Sequence, residues 1–195
     1  MKRVNRNIKF FLASDVFFYS SYDLISVFLT VLITTSITNG SLDAVGIVLG
    51  YALILRAFSE LAFSKMLQNL SSKNKIRFIS LGNVLYGVTL ICMGFASSLF
   101  TIYIFQTILA LIDASTYPLK WALFSKILDK GNEEFEWSLE DIGATTAAAI
   151  FAVIGGFVSQ IYGLSVTFSM IGATFVICGF IFHFIKIREH KRSLK

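Results

Sequence analysis

This sequence has few charges, one proline and two cysteines. Only 15% of its 195 residues are Asp, Glu, Lys or Arg, against about 25% in a soluble domain. That leaves too little polar surface for a globule dissolved in water. The single proline, Pro118, beside twenty phenylalanines excludes a Pro-rich linker, a collagen-like repeat and a disordered chain. Cys92 and Cys178 both fall inside apolar runs, which supports neither a disulfide framework nor a metal cluster. There is no phosphate-cradling glycine loop. His183 and His190 stand together at the end of the last apolar run, and Ser115 and Ser125 have no nearby histidine to act as base. We therefore expect no enzyme, no catalytic residue, no metal and no cofactor. The net charge of +5 would suggest nucleic acid in a soluble protein; here it is read as membrane topology, with no nucleic-acid partner expected.

What is abundant is apolar: 55% hydrophobic and 15% aromatic residues, with a mean hydropathy of +0.73. The partner this composition implies is the lipid bilayer, and the length suits six spans at about 20 residues each. Apolar segments are expected near 8–37, 43–69, 76–97, 98–128, 140–162 and 165–186, forming one six-span, all-α membrane domain. The first is not expected to be a cleavable signal, because Asp15 interrupts it and no small-residue cleavage site follows. Lys2, Arg3, Arg6 and Lys9 precede span 1, and Lys73, Lys75 and Arg77 separate spans 2 and 3. Lys126 and Lys130 follow span 4, and Lys186, Arg188, Lys191, Arg192 and Lys195 follow span 6. The other breaks carry no Lys or Arg, so the positive-inside rule predicts both termini in the cytoplasm. The acidic run Asp129, Glu133, Glu134, Glu136, Glu140 and Asp141 reads as a solvated loop, with Glu140 and Asp141 at the start of span 5, and Trp137 as an interfacial residue.

Six spans with a basic break after span 2 and a longer link after span 4 resemble the N-terminal half of a major facilitator superfamily transporter. The family's marker between spans 2 and 3 runs Gly-x-Leu-x-Asp-Arg-x-Gly-Arg-Arg. The stretch Ser64-Lys65-Met66-Leu67-Gln68-Asn69-Leu70-Ser71-Ser72-Lys73 fits that frame degenerately, with serines for glycines, Gln68 for the acid and only Lys73 kept in kind. A second stretch, Gln106 through Phe157, is similar to the span 4 to span 5 region of small prokaryotic members. It includes Ala114-Ser115-Thr116-Tyr117-Pro118, Asp129-Lys130-Gly131 and Gly155-Gly156-Phe157. The resemblance implies two inverted three-helix repeats and a prokaryotic cytoplasmic membrane. It also implies a solute site between two six-span halves, of which this chain would supply one. Long spans 1 and 4 each carry a central aspartate, Asp23 and Asp113, and spans 3 and 6 share Ile-Cys at Ile91-Cys92 and Ile177-Cys178.

Six charges lie within the spans: Asp15, Asp23, Arg56, Glu60, Asp113 and Lys120. Unpaired, they would cost about 15–20 kcal/mol at roughly 2.5–3.5 kcal/mol each, more than the ~5–15 kcal/mol that holds a protein folded. They must pair, face water or change protonation. At ~1.5 Å rise per residue they sort into two layers. Asp23 and Asp113 are expected near the midplane with Arg56, and Asp15 and Glu60 nearer the cytoplasm with Lys120; Arg56 and Glu60 could instead pair along span 2. One cation cannot fully neutralise two close carboxylates, so one acid per layer is left to exchange a proton.

Asp15, Tyr19, Tyr22, Ser26 and Thr30 share one face of span 1, lining an aqueous cavity or packing polar groups inside the bundle. Ala144, Ala148, Ala152 and Gly156 make a small-residue face on span 5, and Gly46 and Gly50 a shorter one on span 2; these serve packing within the unit or contact with a second unit. The expected function is a half-size secondary transporter, moving a small solute by alternating access and coupled to protons. It would work as a parallel homodimer or with a separately encoded second half. The alternative is a non-transporting scaffold or accessory subunit.

Overall fold

The computed structural model describes residues 6–37 and 40–185. Lys2 and Arg3, Thr38 and Asn39 of the first break, and the basic run from Lys186 to Lys195 with His190 lie outside the described residues. Six helices follow in order: α1 (Arg6–Ser36), α2 (Leu42–Leu67), α3 (Ser72–Met93), α4 (Leu99–Ile127), α5 (Glu133–Tyr162) and α6 (Leu164–His183). All six are long and apolar enough to cross a membrane, and the described residues contain no strand.

The helix starts follow side-chain chemistry. Ser41, Ser71 and Ser98 are extended N-caps whose hydroxyls accept the N–H of Ala44, Asn74 and Thr101, satisfying a donor that the first turn leaves unpaired. Between α5 and α6 the chain reverses at Gly163, whose φ of +83° suits a residue without Cβ. One expected boundary is corrected. The structure starts α5 at Glu133, not at 140, because the acidic run is itself helical. Glu133, Glu134 and Glu136 occupy its first turn, where the helix dipole favours negative charge. Glu136 Oε2 also accepts the Asp129 N–H (2.9 Å), and its Oε1 accepts from Asn132 Nδ2 (3.3 Å).

Helix packing follows a two-fold exchange of α1 with α4, α2 with α5 and α3 with α6. α1 packs on α5 and α6 as α4 packs on α2 and α3, and α3 lies against α6 in the longest contact of all. That is the arrangement of two inverted three-helix repeats. The α3–α6 seam is narrow because glycines let the backbones approach: a Cβ on Gly172 would collide with the Gly87 carbonyl, and one on Gly179 would come within 2.7 Å of the Ser80 carbonyl. Ser80 Oγ donates to the Gly179 carbonyl across the seam (2.7 Å). The matching Ile-Cys pairs are not equivalent in burial: Cys178 is buried beside this seam and Cys92 is exposed. Two aromatic-rich apolar clusters fill the bundle, one around Phe28, Leu90, Phe168 and Phe175, the other around Phe11, Ile79, Phe124 and Phe182. α1 and α4 approach each other only briefly, which opens space between them. α2 and α5 are outermost; 11% of each one's apolar window is buried, against 44–50% for the other four helices.

Candidate functional site

A cavity of about 420 Å³ opens between α1, α2, α3 and α4. Its polar lining is Tyr22, Asp23 and Ser26 from α1, Arg56 from α2, Tyr86 from α3, and Gln106 and Asp113 from α4. The Arg56 guanidinium lies 3.0 Å (Nε) from Asp113 Oδ2 and donates through Nη1 to Tyr22 Oη at 3.1 Å. Tyr22 in turn donates to Asp113 Oδ2 at 2.9 Å. The guanidinium also sits over the Tyr117 ring, 4.7 Å from its centroid, and 3.9 Å from Glu60 Oε2 one turn along α2. Asp113 is buried while Arg56 is partly open to the cavity. Three helices are thereby tied by one hydrogen-bonded charge group.

A second charge group lies two turns away. Lys120 on α4 forms an ion pair with Asp15 on α1, and both residues are almost fully buried, at 4% and 1% exposure. The ammonium is ringed by Phe18 (4.0 Å to the centroid), Tyr19 (4.7 Å) and Trp121 (5.5 Å), contacts that stabilise a cation with few waters left around it. Behind Asp15, Ser14 Oγ lies 3.0 Å from Cys178 Sγ, to which Asn83 Nδ2 donates at 3.1 Å. The Glu140 carboxyl on α5 faces that of Asp15. A side cavity of about 350 Å³ adjoins this group, lined by Tyr19, Asp23, Trp121, Glu140, Asp141 and Ala148 among others. Asp23 therefore borders both cavities.

Two pairings expected from depth are corrected. Asp23 does not join Arg56; its exposed carboxylate has no hydrogen bond or ion pair among the described residues. Tyr22, its neighbour in sequence, takes that place because it points 100° away around the helix, toward α2 and α4. Glu60 does not join Lys120, since α2 packs along α4 on the Arg56 side and touches α1 little. Glu140 supplies the second carboxyl instead, because α5 runs along α1. The polar face of α1 divides: Asp15 and Tyr19 belong to the Lys120 group, Tyr22 and Ser26 to the main cavity, and Thr30 caps the face by donating to the Ser26 carbonyl (2.8 Å). Trp137, expected at an interface, stacks on Trp121 with ring centroids 5.1 Å apart.

The small-residue faces also divide. Ala144 is buried and Ala148 lines the side cavity, whereas Ala152 and Gly156 are exposed. A Cβ on Gly46, Gly50 or Gly156 would meet nothing within 4 Å. The glycines of α5 that do contact α1 are Gly143 against Val16 and Gly155 against Phe28, off the expected stripe. Gln106, Tyr86 and Glu140 were not singled out as site residues from sequence. Gln106 had a usable signal, lying seven residues before Asp113 and hence on the same face of α4.

The comparisons with known proteins agree with this geometry. A profile of the Major Facilitator Superfamily matches residues 11–195. Among solved structures, one similar to this chain is the in meso crystal structure of the POT family transporter PepTSo, with a TM-score of 0.72 and 17% sequence identity. The match covers 93% of this chain and 37% of that one, so this chain spans well under half the length of that transporter; at this identity the likeness is one of fold. No curated protein matches the sequence. Six membrane-capable helices in two inverted repeats, with a profile match over nearly the whole length, give the assignment: this chain belongs to the Major Facilitator Superfamily.

Proposed function

We propose that this chain is one six-helix half of a secondary active transporter, moving a small solute by alternating access and coupled to protons. Both termini face the cytoplasm. The opposite wall of the cavity comes from a second six-helix unit, either a parallel second copy or a separately encoded half. The observation that carries this reading is the open main cavity, where Asp113 and Arg56 meet beside an uncompensated Asp23. A closed structural ion pair would need no such opening. The poorly buried outer faces of α2 and α5 support a second unit, since α2 lines the main cavity, α5 lines the side cavity, and Gly46, Gly50 and Gly156 leave room for close helix contact. The accessory-subunit reading rests on the loop after α2, where Lys75 Nζ donates to the Gln68 carbonyl (3.0 Å) in place of a charge latch.

The deciding experiment reconstitutes the chain in proteoliposomes carrying an entrapped pH dye, imposes a proton gradient, and screens a solute panel for accumulation with matched proton entry. Transport predicts saturable flux that is abolished by Asp113→Asn, with the variant still inserted and folded. Absence of flux for every solute supports the accessory subunit, and flux indifferent to the gradient and to Asp113→Asn removes proton coupling.

A further inference from the structure

The charges around the two cavities do not balance. Asp15, Asp23, Glu60, Asp113, Glu140 and Asp141 contribute six carboxyls, and Arg56 and Lys120 are the cations. Both cations are committed: Arg56 to Asp113, Glu60, Tyr22 and the Tyr117 ring, Lys120 to Asp15 and an aromatic cage. An anionic solute would find no free positive group on this wall. A cationic one would find Asp23, which borders both cavities and has no hydrogen bond or ion pair among the described residues.

A second observation, independent of the acids, points to a ligand in the main cavity. Gln106 is 6% exposed and lines it, yet the one hydrogen bond its side chain makes among the described residues is a long contact from Nε2 to Met93 Sδ, at 3.9 Å. Its amide oxygen has no partner among the described residues. Tyr86, equally buried, stacks on Phe175 and leaves its hydroxyl without a hydrogen bond in the same cavity. Both residues are largely buried yet line the cavity, where an amide and a hydroxyl without a protein partner among the described residues can serve a guest that hydrogen-bonds. The remaining walls, Ile25, Leu49, Leu53 and Leu109, are apolar, which suits a carbon skeleton better than a hydrated metal ion. The volume of about 420 Å³ is within the usual range of small-molecule sites.

We infer that the main cavity binds an organic cation, its ammonium against Asp23 and its hydrogen-bonding groups on Gln106 and Tyr86. This rests on the transporter reading above, in that it takes the cavity as the solute site. Tyr22, next to Asp23 in sequence, lines the main cavity, and Tyr19, one turn before Asp23, lines the side cavity.

The test is equilibrium binding to the purified full chain in neutral detergent, with no gradient and no flux, using three probes of one shape: tryptamine (cation), tryptophol (neutral) and indole-3-acetate (anion). The inference predicts saturable tryptamine binding about tenfold or more tighter than tryptophol, with indole-3-acetate no better than tryptophol. Asp23→Asn should erase the preference for tryptamine while leaving tryptophol binding intact, and Asp23→Glu should restore it. Gln106→Leu should weaken amine and alcohol alike. No saturable tryptamine binding, a preference for the anion, or a preference that survives Asp23→Asn overturns the inference. Such a failure alongside flux in the uptake assay discards the substrate class and keeps the transporter; cation selectivity without flux keeps the site and discards transport.

Discussion

Lys120→Met removes the cation from a place that holds two carboxyls. In the native chain the ammonium is paired with Asp15, faces three aromatic rings within 5.5 Å, and lies almost wholly out of water. Removing one partner of a buried pair costs about 3–5 kcal/mol, because the remaining charge is left uncompensated. Met retains most of the stem's packing, so the charge dominates the loss. The converse change is milder: Asp15→Asn leaves Lys120 with its rings and with the Glu140 carboxyl nearby, for an expected loss of about 1.5–3 kcal/mol, the range for a hydrogen bond to a charged group. The double variant Asp15→Asn, Lys120→Met removes both charges together, and replacing a whole buried pair is often close to neutral. Its stability should therefore exceed that of Lys120→Met alone. The chain carries its own reporter, since Cys178 is buried and Cys92 exposed. In a Cys92→Ala background, a thiol-reactive dye followed through an SDS titration in mixed micelles reads unfolding directly. Should Lys120→Met unfold at the same SDS fraction as the parent, or should the double variant be the least stable of the three, the buried-pair argument is wrong.

Three other expectations follow from the same geometry. Gly172→Ala drives a methyl into the Gly87 backbone and Ile91, and should cost about 1–3 kcal/mol as an overpacked contact, whereas Gly46→Ala, with open space at its Cβ, should leave the SDS midpoint unchanged. Gln68→Ala and Asn69→Ala remove exposed amides at the end of α2 and should each change stability by about 1 kcal/mol or less; complete loss of proton-driven uptake in either, at normal expression, would show a larger role for this loop. For a parallel two-copy unit, Gly50→Cys in one copy and Ala152→Cys in the other, with both native cysteines replaced, should cross-link efficiently in native membranes. The first lies eight residues from the start of α2 and the second ten from the end of α5, so their depths agree within about 3 Å at 1.5 Å per residue; a monomeric mass with full transport and no cross-link refutes the two-copy arrangement.

The six helices were legible because hydropathy over a ~20-residue window is a strong, local signal. The start of α5 was not. Asp129 and three glutamates, Glu133, Glu134 and Glu136, read as a loop by composition, but Glu136 folds back to hold the Asp129 and Asn132 side of the turn, which depends on three-dimensional placement. For the site, depth along each helix correctly brought Asp113 to Arg56 and Asp15 to Lys120. What depth could not supply was direction around the helix axis and the identity of neighbours. Asp23 and Tyr22 are one residue apart and therefore 100° apart, enough to exchange a salt bridge for an open cavity. Glu140 was invisible as a partner for Asp15 because that contact needs the α1–α5 packing, which no local pattern encodes.

The two charge groups also share a register that bears on motion. Tyr22 bonds Asp113, and Asp15 pairs with Lys120; on each helix the two residues are seven apart. Two antiparallel helices, α1 and α4, are thus tied at points two turns, or about 10.5 Å, from each other. Between those ties they touch little, while α3 and α6 are locked by a glycine seam and apolar packing. Loss of either tie would change the spacing of α1 and α4 without disturbing α3 against α6. A guest at Asp23, as inferred above, would lie one residue beyond the Tyr22 tie and border both cavities. A proton added to Asp113 weakens its bonds to Arg56 and Tyr22, and one added to Asp15 weakens its pair with Lys120. Solute and proton would then act on one mechanical element, the α1–α4 gap, from different groups, and this is the physical requirement for coupling one to the other.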